Sequence, residues 1–348
     1  MYRLMLSCWV TRHESRPSFG NIISSIPLMF TSKSVQKPSD HKHGHGYVEF
    51  SKRPFRKHFK VDRYIIRVTK EIYRGKYSHI YEGMARTQDD SDSVKNVAVK
   101  EVTDEASDKS SMQREIDLMK SIPAHENVIK LLAHSIKEGP PYFVTEFAQH
   151  GNLQQYLIKN RQHFIKGGTI ESHRQLFSFA KDISCGMEHL SRIGVTHNYL
   201  AAKHVLVFTE TTCKIANFGY ASNVTHGKRT LSMEKKDTHP YQWMALETLT
   251  KWEFDTFTDV WAFGVVLWEI VTLGKKPFEG YQQRDVKWRI SKGDRLYKPI
   301  HCSDEVYDVM LACWRKKPKD RPTFSKLVDI TKRLRDRRDE LLYFSKYK

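Results

Sequence analysis

Late in the chain, residues Thr258–Leu273 place apolar side chains at nearly every position, including the run Val260-Trp261-Ala262-Phe263-Gly264-Val265-Val266-Leu267-Trp268. A helix of this composition has no polar face to offer to water, so it must be enclosed by protein on all sides. That requirement fixes the rest of the reading, because a buried central helix needs a shell around it. Helical patterns at Leu153–Lys159, Ser172–Ile193, Glu305–Arg315 and Thr323–Leu342 supply one. The second of these carries Leu176, Phe179, Ala180, Ile183, Met187 and Leu190 on one face.

Upstream the pattern differs. Tyr64–Lys70, Ile80–Ala85 and Asn96–Val102 alternate as strands do, and Val128–Ser135 and Tyr142–Glu146 are strand-like. One helix is predicted among them, Lys109–Ser121, with Ile116 and Met119 on one face and Glu115 beside them. A β-rich lobe (64–146) followed by a helical lobe (149–335) implies an α+β fold in two lobes rather than a parallel α/β sheet.

The chain has 348 residues, enough for two lobes with full cores. Its five Cys (8, 185, 213, 302, 313) show no CxxC spacing, which argues against a zinc site or a disulfide framework and fits a reducing, cytoplasmic setting. No stretch reads as a membrane span of roughly 20 apolar residues. Leu4–Val10 is too short for a convincing signal-peptide core. The chain reads as soluble, or as a piece of something longer.

The net charge of +18 sits in the flanks: residues 1–64 hold 12 Lys/Arg against 4 Asp/Glu, and residues 315–348 hold 13 against 5. Residues 1–63 read as a basic, largely disordered extension, and 336–348 as a basic tail. The densest run, Lys52-Arg53-Pro54-Phe55-Arg56-Lys57-His58-Phe59-Lys60, interleaves cations with Phe. It suits a solvated linker, an anionic membrane surface or nucleic acid, in that order. His41-Lys42-His43-Gly44-His45-Gly46 is read as a flexible linker, with metal binding as the alternative.

Several motifs occur in a fixed order. They are Val97-Ala98-Val99-Lys100, Glu115, Phe143-Val144-Thr145-Glu146-Phe147-Ala148, His197-Asn198-Tyr199-Leu200-Ala201-Ala202-Lys203-His204, Asn217-Phe218-Gly219, Trp243-Met244-Ala245-Leu246-Glu247, Asp259-Val260-Trp261, and Cys313-Trp314 with Arg321-Pro322-Thr323-Phe324. Together they resemble the protein tyrosine kinases, over roughly Tyr64 to Arg335. Ala201-Ala202 and Cys313-Trp314 point to tyrosine kinases, and the stretch around Thr145 is similar to the hinge of receptor-type members.

The resemblance implies an ATP site formed by Ile72, Gly75, Ile80, Ala98, Lys100, Glu115, Thr145, Glu146, Ala148 and Leu206. Lys100 and Glu115 would pair. Ile72, Ile80, Ala98 and Leu206 would sandwich the base, behind Thr145. The glycine-rich loop keeps only Gly75, and Tyr73 and Ser78 are expected to hinder phosphate approach.

The resemblance also marks what is altered. An active kinase has an Asp base where this chain has Tyr199, an Asn metal ligand at His204 and an Asp metal ligand at Asn217. A phenol ionises near pH 10, so it is a poor base at neutral pH. Mg²⁺ wants hard, preferably anionic oxygens, which His and Asn supply poorly. Asn198 replaces the Arg that grips a phosphorylated activation segment, and no Tyr lies between Tyr220 and Tyr241. Lys203 replaces the second Arg of the loop and loses its bidentate geometry. Parts that hold the fold are kept: His197, Phe218, Met119 and Leu131 as an apolar column, Glu247 with Arg321 as an ion pair, and Asp259 as anchor of the loop.

The implied function is a pseudokinase: a scaffold or allosteric signalling partner of proteins, an active kinase among them. ATP binding without efficient transfer fits it, and Mg²⁺ binding is expected to be weak or absent. The alternative is a weak or unconventional ATP-dependent protein tyrosine kinase. Nucleic acid is not expected as a partner.

Overall fold

The computed structural model describes residues 58–61, 64–75, 78–87, 94–102, 106–136, 140–167, 170–223, 229–230, 239–337 and 341–344, all within the unit Pro54–Lys348. The His41–Gly46 segment and most of the Lys52–Lys60 run therefore lie outside the described residues.

One antiparallel sheet builds the first lobe, from β1 (His58–Val61), β2 (Tyr64–Arg74), β3 (Ser78–Thr87), β4 (Val94–Val102), β5 (Leu131–Ser135) and β6 (Tyr142–Glu146), in the order β1-β2-β3-β4-β6-β5. Helix α1 (Ala106–Ser121) accompanies it. The sheet begins earlier than the expected boundary at Tyr64, since His58 pairs with Arg67 and Val61 with Tyr64. Four residues are too few for alternation to register in the sequence. β2 also runs past Lys70, because register shifts at Val68/Lys70 and Glu71/Tyr73 break the alternation without ending the strand.

The second lobe is helical: α2 (Leu153–Lys159), α3 (Arg161–Gly167), α4 (Ile170–Arg192), α5 (Leu246–Lys251), α6 (Thr256–Val271), α7 (Gln283–Lys292), α8 (Asp304–Cys313) and α9 (Phe324–Asp336). Short strands carry the loops of the cleft, among them β7 (Val195–Thr196), and β8 (Val205–Val207) paired with β9 (Cys213–Ile215). The lobes have an α+β protein-kinase fold, as the sequence implied. Helices α3, α5 and α7 escaped the sequence reading; α3 and α5 are short, and the apolar residues of α7 are few.

Helix α6 is buried from Thr258 to Val271. Its start is fixed by Asp255, whose side chain accepts the Thr258 N–H (3.0 Å). Midway, a Cβ on Gly264 would stand 2.7 Å from Trp314 Nε1 and from Cys313 Cβ, so the helices approach there only because Gly264 has no side chain.

The expected tail after Arg335 is corrected by the packing. Helix α9 ends at Asp336, and Leu341, Leu342 and Phe344 are buried in the helical lobe. Ser303 N–H donates to Leu341 O (2.9 Å), Tyr343 N–H donates to His301 O (2.7 Å), and Phe344 stacks on His301. The run of cations before it hid this apolar segment.

Arg321 closes the lobe. It donates to both Glu247 oxygens (2.6 and 2.9 Å) and to the carbonyls of Phe257 and Arg315. Glu247→Ala leaves that guanidinium buried without its counter-charge, and should cost about 3–5 kcal/mol in urea unfolding. A loss below about 1 kcal/mol would show that the pair is not holding the lobe.

Candidate functional site

The cleft between the lobes gathers the expected nucleotide residues. β3, β4 and β6 place Ile80 opposite Lys100 and Ala98 opposite Thr145. Thr145 and Ala148 are buried, Ile80, Ala98 and Leu206 are half-buried, and Ile72 is 49% exposed at the rim. Lys100 Nζ donates to Glu115 Oε2 at 2.8 Å, tying β4 to α1. A Cβ on Gly219 would lie 3.5 Å from that same oxygen, so the turn after Asn217 packs against the pair.

At the loop between β2 and β3, the Tyr73 ring lies over Gly75: a Cβ there would be 2.7 Å from two of its atoms. Arg74 carries a charge that could otherwise meet a phosphate. It is engaged by Glu71 instead, through Nε (2.7 Å) and Nη2 (2.5 Å). On the hinge side, Glu146 accepts the Lys130 N–H and an ammonium proton of Lys214.

The loop from His197 to His204 is held by two buried carboxylates of α6. Asp259 accepts the N–H groups of His197 (2.7 Å) and Asn198 (2.9 Å). Glu269 accepts the Ala202 N–H and the Trp243 indole N–H, both at 2.9 Å. Glu269 was missed in the sequence; a second acid deep inside an apolar helix, ten residues after Asp259, was the signal that could have found it. Burial pushes both carboxyls up to about 7 against these donors.

The altered positions are bonded to one another. Asn217 Nδ2 stands 2.7 Å from His204 Nδ1. With the amide donating, the ring carries its proton on Nε2, a buried nitrogen without a partner. Burial, with Lys203, His197 and Lys100 nearby, holds the His204 imidazole well below its usual range and neutral. Tyr199 packs on the His204 ring (4.4 Å between centroids) and edge-on to Tyr220 (4.9 Å), and Lys203 Nζ donates to its hydroxyl at 3.1 Å.

This arrangement does not fit Mg²⁺. One ring nitrogen is spent on the amide, the other carries hydrogen, no carboxylate stands at either position, and cations surround the ring. Among the described residues, no group of three His, Cys, Asp or Glu could hold a metal.

Asn198 stands in the left-handed region (φ 63), which Asn tolerates better than most residues. Its amide donates to Tyr220 O (2.9 Å) and Ser222 Oγ (3.0 Å). It therefore fastens the start of the following segment by itself. His197 lies against Phe218 (5.4 Å between centroids); Met119 and Phe218 belong to one large apolar cluster, against which Leu131 packs.

Residues 66–330 match the family model of protein tyrosine and serine/threonine kinases. The tyrosine kinase receptor Cad96Ca of Drosophila melanogaster is 32% identical over 283 residues, covering 79% of this chain and 36% of that protein. Fibroblast growth factor receptor 1 of Pleurodeles waltl is 33% identical over 349 residues, 96% of this chain and 42% of the receptor. The Xenopus laevis receptor of that name is 36% identical over 254 residues, 69% of this chain and 31% of its own. The chain belongs to the protein tyrosine and serine/threonine kinase family and is related to its receptor tyrosine kinases. It spans about a third to two-fifths of the length of these relatives.

Glu269 gives a pH prediction. Its folded value of about 7 lies above the ordinary 4.5, so the folded state holds the proton more tightly than the unfolded chain. The resulting stability is present below pH ~4.5 and lost as pH rises through ~7, a change of about 3 kcal/mol for this group. Asp259 is raised to the same value, so unfolding measured from pH 5 to 8 should show a decline from both carboxyls, and Glu269→Gln should make it shallower by the share of Glu269. An unchanged slope in the variant would rule Glu269 out as a source.

Proposed function

We propose that this chain is a catalytically impaired tyrosine-kinase-like protein that acts by binding, as a scaffold or allosteric partner of other proteins, an active kinase among them. The observation that carries the reading is the bond between His204 and Asn217: the two positions that would share the metal in an active kinase are spent on each other. Without metal, the charge that builds on a transferred phosphoryl group has little to meet it. Tyr199 adds to the loss, because its hydroxyl already accepts a hydrogen bond from Lys203 and its ring fills the space beside His204.

ATP without efficient transfer is compatible with what remains. Lys100 would meet its phosphates, and Ala98, Thr145, Ala148 and Leu206 would line its base. A cytoplasmic location belongs to the same proposal; no described helix is long and apolar enough to cross a membrane. The second reading, a weak protein tyrosine kinase, is left open by the intact Lys100–Glu115 pair, which would still meet phosphates.

The purified chain incubated with Mg²⁺-ATP and a tyrosine-containing substrate should give no phosphotransfer above that of Lys100→Met. Thermal stabilisation by ATP should be small and indifferent to Mg²⁺. Restoring Tyr199→Asp, His204→Asn and Asn217→Asp together should create transfer and a metal-dependent shift. Transfer by the unaltered chain, abolished by Lys100→Met, would establish the second reading.

A further inference from the structure

Helix α7 has two unlike faces. Val286 and Ile290 are buried and dock the helix on its lobe. The outward stripe, at helical spacing, carries Arg284, Lys287, Trp288, Ser291 and Lys292, all exposed. Trp288 is 60% exposed, although it is the largest apolar side chain of the helix. Nothing in the folding of α7 requires it there, since Val286 and Ile290 already fill the apolar side.

The charges on this stripe share one sign. Asp285, the single carboxylate of the helix, turns back to accept the Gln282 N–H (3.3 Å) and lies 3.8 Å from Arg284. Asp294, beyond the helix, is held by Arg289 at 3.1 Å. The Arg289 guanidinium lies 4.4 Å from the Tyr281 ring centroid, adding a partly exposed aromatic beside the stripe.

An exposed Trp framed by Arg and Lys has the composition of an interface anchor. We propose that this face of α7 binds an acidic segment of a partner protein. Carboxylates meet Arg284, Lys287 and Lys292, and an apolar side chain covers Trp288. Ten residues of helix span about 15 Å, the length of roughly four or five extended residues. A membrane surface suits the face less well. Helices that lie in a bilayer interface bury a whole apolar face, and α7 has spent its own on the lobe. The proposal goes beyond the reading of the cleft, with which it shares no residue, so either can fail without the other.

The test uses the full chain and a fluorescein-labelled peptide of Asp and Glu around one Leu, followed by anisotropy at low and at physiological salt. Binding should weaken on the order of tenfold in Trp288→Ala. It should weaken at least as much, with a shallower salt dependence, in Arg284→Glu/Lys287→Glu. The same peptide with Asn and Gln for its acids should not bind. Lys316→Glu/Lys319→Glu, at exposed cations after α8, should bind as the unaltered chain does. Melting temperatures should agree across the set, because every altered side chain is exposed. Equal binding by all variants, or none by the unaltered chain, overturns the proposal. So does Trp288-dependent binding to phosphatidylserine vesicles without binding to the peptide.

Discussion

Two backbone N–H groups, those of His197 and Asn198, end on the buried carboxyl of Asp259, and the rest of the cleft follows from that tie. Asp259 lies in the first turn of α6, the helix enclosed on all sides. Ten residues along the same helix, Glu269 takes the N–H of Ala202 and the indole of Trp243. One buried helix therefore holds the loop from His197 to Ala202 near both ends, through main-chain groups. Buried main-chain donors must be paired whichever side chains the loop carries. The loop can exchange side chains at Tyr199 and His204 and keep its course.

That separation explains how the cleft absorbs its substitutions. A carboxylate or amide built to face a metal would stand buried and unpaired without one, at a cost of about 1–3 kcal/mol or more. Here Asn217 and His204 pair with each other, Asn198 bonds Tyr220 O and Ser222 Oγ, and Lys203 meets Tyr199. The Tyr199 ring lies against His204 and Tyr220, adding aromatic packing where an acid would have needed water or metal. The changes are thus mutually consistent: each altered residue is a partner of another group in the same small region.

Much of this was legible in the chain. The enclosed helix and the strand-rich lobe follow from residue type and order, while the Lys100–Glu115 and Glu247–Arg321 pairs and the anchoring role of Asp259 came from the resemblance to tyrosine kinases. What escaped depends on neighbours that periodicity does not encode. Bulges hid the far half of β2, a short edge pairing hid β1, and cations masked the buried Leu341, Leu342 and Phe344. The bond between Asn217 and His204 joins positions 13 apart in sequence and needed the turn between β8 and β9 to bring them together. Trp288 was unremarked because a single aromatic among cations has no period; only the burial of Val286 and Ile290 reveals which way it faces.

The intact Lys100–Glu115 pair does not by itself argue for catalysis. Glu115 is almost fully enclosed, its side chain 5% exposed, and its carboxylate lies beside Gly219 at the turn that follows Asn217. Lys100 Nζ is the charge bonded to it, at 2.8 Å. Removing the lysine would leave a buried carboxylate unpaired in the contact between α1 and the cleft, a structural cost that arises with or without nucleotide. The pair is therefore retained under both readings of the cleft. What separates them is the chemistry at His204 and Asn217, where the same fold can hold either a metal or a hydrogen bond, but not both on one ring nitrogen.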